Sequence, residues 1–140
     1  MVVFWHVHLF VVRATRGRVG LWRPKPSGWG VLRLATVGRR TGRPRAVLVG
    51  YIEDGDDLVT MAMNGWGEAE PAWWLNLQAH PDVTVQTRDG VRSMRAHRAE
   101  GAERERLWER WASIDKNLDA YAARRPDETA VVVLQTQARQ

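Results

Sequence analysis

Residues 37–45 read Val-Gly-Arg-Arg-Thr-Gly-Arg-Pro-Arg and contain four arginines, two glycines, one proline and one threonine. An apolar run at 31–37 leads into this stretch, and a second apolar run at 46–52 leads out of it. Short apolar runs bounded by glycine and proline are typical of β-strands. The stretch therefore predicts two strands joined by a glycine-hinged basic loop, and this hairpin is the start of a β-sheet.

The composition of the basic loop, residues 38–45, suits an anionic ligand. Arginine presents a planar fork of donors that matches phosphate and carboxylate groups. Glycine lets backbone N–H groups approach such an anion closely. The alternative is a solvent-exposed basic hairpin, because runs of like charge usually face water. The loop alone gives these two interpretations equal weight.

Strands and tight turns continue beyond the hairpin. We predict a third strand at 57–63, preceded by the Asp54-Gly55 turn signal, and two further strands at 82–88 and 91–98. The last two strands flank Asp89-Gly90, which is the same kind of hairpin signal. An apolar run at 130–134 is predicted to be a strand buried on both faces.

Helices are expected between these strands. The segment Ala72–Ala79 follows Pro71, and proline is tolerated where a helix begins; His80-Pro81 should end this helix. In Gly101–Ile114, apolar Leu107 and Trp111 recur at helical spacing beside charges of both signs. A further helical segment is predicted at 115–125. The order of elements predicts an α+β, mainly β fold, in which a mostly antiparallel sheet closes into a small barrel with helices outside.

Length and charge limit the alternatives. With 140 residues, the chain is predicted to form a single domain, 1–140, in which 1–30 supply an N-terminal helix and loop and 31–135 the barrel core. The net charge of +5 favours anionic partners, and the absence of cysteine excludes a disulfide framework. Residues 1–12 are apolar but resemble neither a signal peptide nor a membrane span. We expect a cytoplasmic protein whose N-terminal helix either packs on the domain or contacts a membrane surface.

Common catalytic motifs are missing from the sequence. It contains no GxGxxG, no P-loop, no GxSxG and no HExxH. The four histidines have no zinc-binding spacing, so no metal site is predicted. If the protein is an enzyme, a bound organic cofactor is expected to carry out the difficult chemistry.

Two motifs in the same order resemble a known family. Residues 34–45, Leu-Ala-Thr-Val-Gly-Arg-Arg-Thr-Gly-Arg-Pro-Arg, are similar to the TTxGRKSGxxR signature of the deazaflavin-dependent nitroreductase family. Residues 71–83, Pro-Ala-Trp-Trp-Leu-Asn-Leu-Gln-Ala-His-Pro-Asp-Val, resemble its PxWYLNLxANPxV segment. The resemblance covers roughly residues 31–135. It implies a split β-barrel that binds coenzyme F420, an 8-hydroxy-5-deazaflavin with a phosphate and an oligoglutamate tail.

The resemblance also implies which residues hold the cofactor. The anionic tail would lie on the basic loop and the strand that follows it, and the deazaflavin ring against the end of the third strand and the start of the short helix. The implied binding residues are Arg39, Arg40, Thr41, Arg45, Ala46, Val47, Met61, Ala62, Met63, Asn64, Ala72, Trp73 and Asn76. Neighbouring residues of a helix point about 100° apart, so we expect only one of Trp73 and Trp74 to face the cofactor.

The resemblance implies an F420H2-dependent oxidoreductase that transfers a hydride to a quinone, an enone or a nitro compound. For the accompanying proton we expect Tyr121, with Tyr51 and solvent as alternatives. Other possibilities are an F420 carrier without turnover and an FMN- or haem-binding split barrel. Nucleic acid is not expected as a partner, because no exposed aromatic array accompanies the basic residues.

Overall fold

The computed structural model describes residues 21–25, 28–63 and 69–137. The predicted N-terminal helix lies outside these residues, as does Asn64. The described strands are β1 (Gly30–Val37), β2 (Pro44–Asp54), β3 (Asp57–Met61), β4 (Asp82–Thr87), β5 (Gly90–Arg98) and β6 (Val131–Thr136). The described helices are α1 (Ala72–Ala79), α2 (Gly101–Ile114) and α3 (Leu118–Ala123). Within the described residues, no helix has both the length and the apolar character needed to cross a bilayer.

The six strands form a closed barrel in the order β1-β2-β3-β6-β5-β4. Every neighbouring pair is antiparallel, and pairing of β1 with β4 at Leu34 and Val85 closes the ring. The predicted antiparallel barrel with external helices is therefore confirmed.

Alternation along β6 divides the apolar side chains between two layers. Val132 and Leu134 point into the barrel, where they join Leu34 and Val85. Val131 and Val133 point outward and pack with Leu107 of α2. Because side chains alternate between the two faces of a strand, one apolar run fills the barrel and also anchors the helix.

Several predicted boundaries need correction. Strand β2 begins at Pro44 and ends at Asp54, because Pro44 already pairs with Val37 and the first residue of a strand tolerates proline. Strand β3 ends at Met61 rather than at residue 63, since the N–H of Met63 turns back to the Met61 carbonyl at 2.9 Å. Helix α3 is shorter than the predicted segment 115–125, and β6 begins at Val131 and continues to Thr136.

Candidate functional site

A cavity of about 940 Å³ lies between strand β2, the basic loop and helix α1. This volume is within the range of pockets that bind cofactors and drug-sized ligands. The lining residues are Thr36, Gly38, Arg39, Arg40, Thr41, Arg45, Ala46, Val47, Leu48, Val49, Gly50, Thr60, Met61, Met63, Pro71, Ala72, Trp73, Asn76 and Trp111. No carboxylate is among these described lining residues, so the wall of the cavity offers positive charge and apolar surface.

Strand β2 runs along the cavity and gives it two chemically different ends. At one end Arg45 pairs with Thr36 beside the basic loop. Five residues further along, Gly50 accepts a hydrogen bond from the Thr60 hydroxyl at 2.7 Å. At the usual rise of a strand the two positions are roughly 17 Å apart. The cavity is therefore long enough to hold an extended ligand whose two ends differ in charge.

The end near Gly50 is mainly apolar. The side chain of Trp29 lies beside Gly50, where a Cβ added to the glycine would be 3.6 Å from Trp29 Cβ. The rings of Trp29 and Trp111 are 5.5 Å apart, which places Trp111 at this same end. Met61 adds a buried thioether. This end suits a flat, apolar ring system, because aromatic side chains and methionine pack well against such groups.

The opposite end is formed by the basic loop, whose own hydrogen bonds fix its shape. Gly38 N–H donates to the Arg43 carbonyl at 2.8 Å, and Gly42 N–H donates to the Gly38 carbonyl at 2.8 Å. Gly42 has a φ of 71°, which favours glycine. The Thr41 hydroxyl oxygen accepts from Arg43 N–H at 3.2 Å. The loop is therefore ordered by contacts that leave the guanidinium groups of Arg40 and Arg45 available to a ligand.

Helix α1 supports the loop through Asn76. The Asn76 Oδ1 atom accepts from Arg39 N–H at 3.1 Å and from Arg39 Nη1 at 3.0 Å. Its Nδ2 donates to the Thr36 hydroxyl at 3.2 Å. Asn76 is 4 % exposed, so its polar atoms are engaged by protein in an almost buried position. These contacts hold Arg39 and the end of β1 in a fixed relation to α1.

The structure brings together most of the residues that the sequence predicts for cofactor binding. All of them line the cavity except Ala62 and Asn64. Ala62 is fully buried and packs in the barrel core, and its N–H donates to the Ala130 carbonyl at 3.0 Å. It is not among the described lining residues, because it faces away from Met61 and Met63, its neighbours in the chain, and its role in cofactor binding stays a prediction. Asn64 lies outside the described residues.

The two tryptophans of α1 have different positions. Both pack in the barrel core, but only Trp73 is among the described lining residues of the cavity; which of them faces the cofactor stays a prediction. Tyr121, the predicted proton donor, is 4 % exposed on α3 and is not among the described lining residues. Its catalytic role stays a prediction.

Several lining residues were not predicted from the sequence. Thr36, Gly38, Leu48, Val49, Gly50, Thr60, Pro71 and Trp111 all contribute to the cavity. Trp111 is the most informative of them, because it falls in the apolar spacing of α2 like any core residue. Nothing in that spacing separates a side chain that only packs from one that also borders a cavity.

Several charged side chains outside the cavity have structural partners. Asp54 accepts from Arg106 Nη1 and Nη2 at 2.9 and 3.0 Å and from Arg110 Nη1 at 3.3 Å. The hydrogen bonds from Arg106, aided by the charges of Arg106 and Arg110, hold the pKa of Asp54 below its usual value. His97 pairs with Glu103 at 3.0 Å. Among the described residues, no three His, Asp or Glu side chains are grouped as metal ligands.

Comparison with known proteins places these observations in a family. A family model described as F420H2-dependent quinone reductase matches residues 5–136. The chain is 37% identical over 81 residues to the F420H2-dependent quinone reductase Rv1261c of Mycobacterium tuberculosis, covering 56% of this chain and 52% of the relative. This chain thus spans about half the length of that relative.

A second relative and a solved structure extend the match. A Mycobacterium tuberculosis protein named "Putative F420H(2)-dependent quinone reductase Rv3178" is 34% identical to this chain over 104 residues. The match covers 74% of this chain and 78% of the relative. A structure titled F420-H2 Dependent Reductase (FDR-A) superimposes with a TM-score of 0.67 at 25% identity, covering 75% of this chain and 93% of that one. These matches confirm the resemblance of the two motifs. The chain belongs to the F420H2-dependent quinone reductase family.

Proposed function

We propose that this protein binds coenzyme F420 in the cavity and acts as an F420H2-dependent oxidoreductase with a quinone as acceptor. The observation that carries the proposal is the arrangement of one continuous cavity with arginines at one end and apolar rings at the other. Family membership and the names of the relatives support the same cofactor and acceptor. An enone or a nitro compound is the alternative class of acceptor.

The residues present fit the cofactor. Arg39, Arg40 and Arg45 would hold the phosphate and glutamate carboxylates, because guanidinium groups bind both kinds of anion through paired hydrogen bonds. In the described residues, none of these three arginines forms an ion pair with a carboxylate of the protein. Their charge is thus available to an anionic ligand.

The opposite end of the cavity fits the ring and the acceptor. Met61, Met63 and Trp73 provide apolar surface there, and the small side chain of Ala72 lines the cavity at the start of α1. When bound, reduced F420 would supply a hydride to the quinone, and a proton from a separate donor would complete its conversion to a quinol. The side chains of the protein hold the two partners in a fixed orientation and exclude water, which are the contributions expected of a cofactor-dependent enzyme.

The proton is assigned to Tyr121 as part of the proposal, with Tyr51 or solvent as alternatives. Two further elements rest on the sequence: contact of the N-terminal helix with a membrane surface, and a cytoplasmic location. A membrane contact would bring the site close to lipid-soluble quinones, the proposed class of acceptor.

Two measurements test the proposal. Titration of the purified protein with F420, followed by the fluorescence of the deazaflavin, should give saturable binding at micromolar concentrations. Oxidation of reduced F420 in the presence of the small quinone menadione should then be catalysed in steady state. Binding without turnover of a quinone, enone or nitro compound would identify a carrier instead, and absence of binding at tens of micromolar would contradict the whole proposal. The absorption spectrum of the purified protein would reveal FMN or haem.

A further inference from the structure

Arg125 lies just after helix α3, and its side chain is almost completely removed from solvent, at 1% exposure. A buried guanidinium is rare and costs free energy unless charged and polar partners surround it. The contacts of this side chain therefore indicate what the burial accomplishes. Arg125 does not line the cavity, and the proposed chemistry does not use it.

The partners of Arg125 come from three separate segments of the chain. Its guanidinium is ion-paired with Glu70, the second residue before α1. The Nη1 atom donates to the carbonyl of Ala62 at 3.4 Å, just beyond the end of β3. The same atom donates to the Thr129 hydroxyl at 2.9 Å, just before β6. One side chain thus connects the end of β3, the approach to α1 and the start of β6.

Two of these partners are next to residues that form the apolar end of the cavity. Ala62 lies between Met61 and Met63, and both methionines line the cavity. Glu70 is followed by Pro71 and Ala72, which line it as well. A shift of Ala62 would therefore move lining side chains on one side of the space proposed for the ring and the acceptor, and a shift of Glu70 would move those on the other side.

Packing alone does not require a charged pair at this place. Replacing a buried ion pair by apolar residues of similar size is often neutral or stabilising, so stability is a weak reason for the pair. What a guanidinium offers in addition is a rigid, planar set of donors that fixes the directions of several acceptors at once. That property suits a residue that sets the geometry of neighbouring segments.

We infer that Arg125 is a positioning residue: through Glu70 and the Ala62 carbonyl it fixes the spacing between β3 and α1 and thereby the shape of the apolar end of the cavity. The inference rests on the proposed function for its catalytic consequence. Its structural consequence, the placement of Met63 and Trp73, is independent of any ligand. The basic loop at the other end should be largely indifferent to Arg125.

Three variants of the full chain separate geometry from stability. Arg125→Lys keeps the charge but loses the planar fork, and Glu70→Gln keeps a hydrogen-bonding group but loses the charge. The double variant Arg125→Met with Glu70→Leu removes the pair without leaving a buried charge unpaired. Asp54→Asn serves as the matched control, because it breaks an arginine–carboxylate pair whose members do not line the cavity.

The kinetic result expected is a split between the two ends of the cavity. In Arg125→Lys and in the double variant, kcat/KM for menadione should fall about tenfold or more, since small misplacements of reacting groups are costly. The F420 dissociation constant should change less than about threefold, because charged contacts at the basic loop dominate it. Wild-type kcat/KM in the double variant, or a loss equal to that of Asp54→Asn, would overturn the inference.

A measurement without ligand tests the same inference. The indole N–H signals of Trp73 and Trp111 in a two-dimensional NMR spectrum, assigned by Trp→Phe variants, report the apolar end directly. Arg125→Lys should shift the Trp73 signal and leave that of Trp22 in place, while Asp54→Asn should shift neither. Unchanged signals for both Trp73 and Trp111 would overturn the inference, whether or not the protein binds F420. Failure of the wild-type protein to bind F420 would contradict only the proposed function.

Discussion

The ring of Tyr51 lies against the backbone of Gly30, its partner in the antiparallel pairing of β1 with β2. A Cβ added to Gly30 would come within 2.6 Å of Tyr51 Cε1, so only glycine leaves room for the ring. The tyrosine is consequently 2 % exposed. Burial, together with the negative charges of Glu53 and Asp89, raises the pKa of Tyr51 to about 12.

The first prediction concerns alkaline pH. Because the pKa of Tyr51 is higher in the folded chain than in the unfolded chain, its stabilising contribution is complete below pH 10 and is lost as the pH rises towards 12. The loss should be on the order of 2 kcal/mol in the free energy of unfolding. Urea unfolding between pH 8 and pH 11.5 should show a decline that is weaker in Tyr51→Phe. Equal declines in the two proteins would contradict this assignment.

The second prediction concerns acidic pH, where the contribution of the Asp54–Arg106 pair to the free energy of unfolding should be lost. The pKa of Asp54 is lower in the folded chain, so its contribution is present above about pH 4 and is lost as the pH falls through the folded-state pKa. Asp54→Asn should lower the free energy of unfolding at pH 7 by about 1 kcal/mol or less, since the pair is partly exposed. The difference from wild type should shrink below pH 4, whereas a constant difference would indicate an effect unrelated to charge.

Within the basic loop, the arginines should differ in importance. Arg45 lines the cavity, while Arg43, which is also exposed, does not. We expect Arg45→Ala to weaken F420 binding about tenfold to a hundredfold, the usual worth of a charge-assisted hydrogen bond. The matched change Arg43→Ala should cost less than about threefold. Fluorescence titrations of both variants at one salt concentration test this, and equal losses would favour a general effect of loop charge.

Asn76 should be important for the shape of the loop. Asn76→Ala removes the acceptor for two donors of Arg39 and the donor to Thr36. We expect a loss of roughly 1–3 kcal/mol in the free energy of unfolding, because partly buried polar groups lose their partners, and weaker F420 binding as Arg39 becomes less ordered. Gln78→Ala, an exposed position on the same helix, is the control. Unchanged F420 binding in Asn76→Ala would show that the placement of Arg39 by Asn76 does not matter for the ligand.

Tyr121→Phe tests the assigned proton donor. If Tyr121 supplies the proton, kcat with menadione should fall about a hundredfold, as is common for loss of a general acid, while the F420 dissociation constant stays near the wild-type value. Tyr51→Phe is the parallel variant for the alternative donor. Full activity of both variants would assign the proton to solvent.

Much of the fold could be predicted from local patterns. The Asp-Gly turns at Gly55 and Gly90 mark two hairpins, and both Ala72–Ala79 and Gly101–Ile114 are helices with the predicted bounds. The insertion of β6 between β3 and β5 was not predicted, because pairing across some seventy residues depends on the closure of the whole barrel. Local propensity carries no information about such distant partners.

The site divides in a similar way. Residues in the two motifs, such as Arg45 and Trp73, line the cavity, and their contact with the cofactor stays a prediction. Ala62 is not among the described lining residues, because neighbouring extended residues alternate in direction and Met61 and Met63 on either side of it face the cavity. Trp111 and Arg125 were missed for a different reason: their roles depend on contacts with distant segments, and their sequence neighbourhoods resemble an ordinary amphipathic helix and an ordinary helix end.

The position of β6 has a consequence for synthesis of the protein on the ribosome. Strands β1 to β3 and the hairpin of β4 and β5 are complete well before residues 131–136 emerge, yet β3 and β5 each lack a neighbour until then. Open strand edges invite pairing with other chains. During translation there is thus an interval in which the arginines and methionines of the cavity have been synthesised but the barrel is still open. Chaperone binding to the nascent chain should be concentrated in that interval.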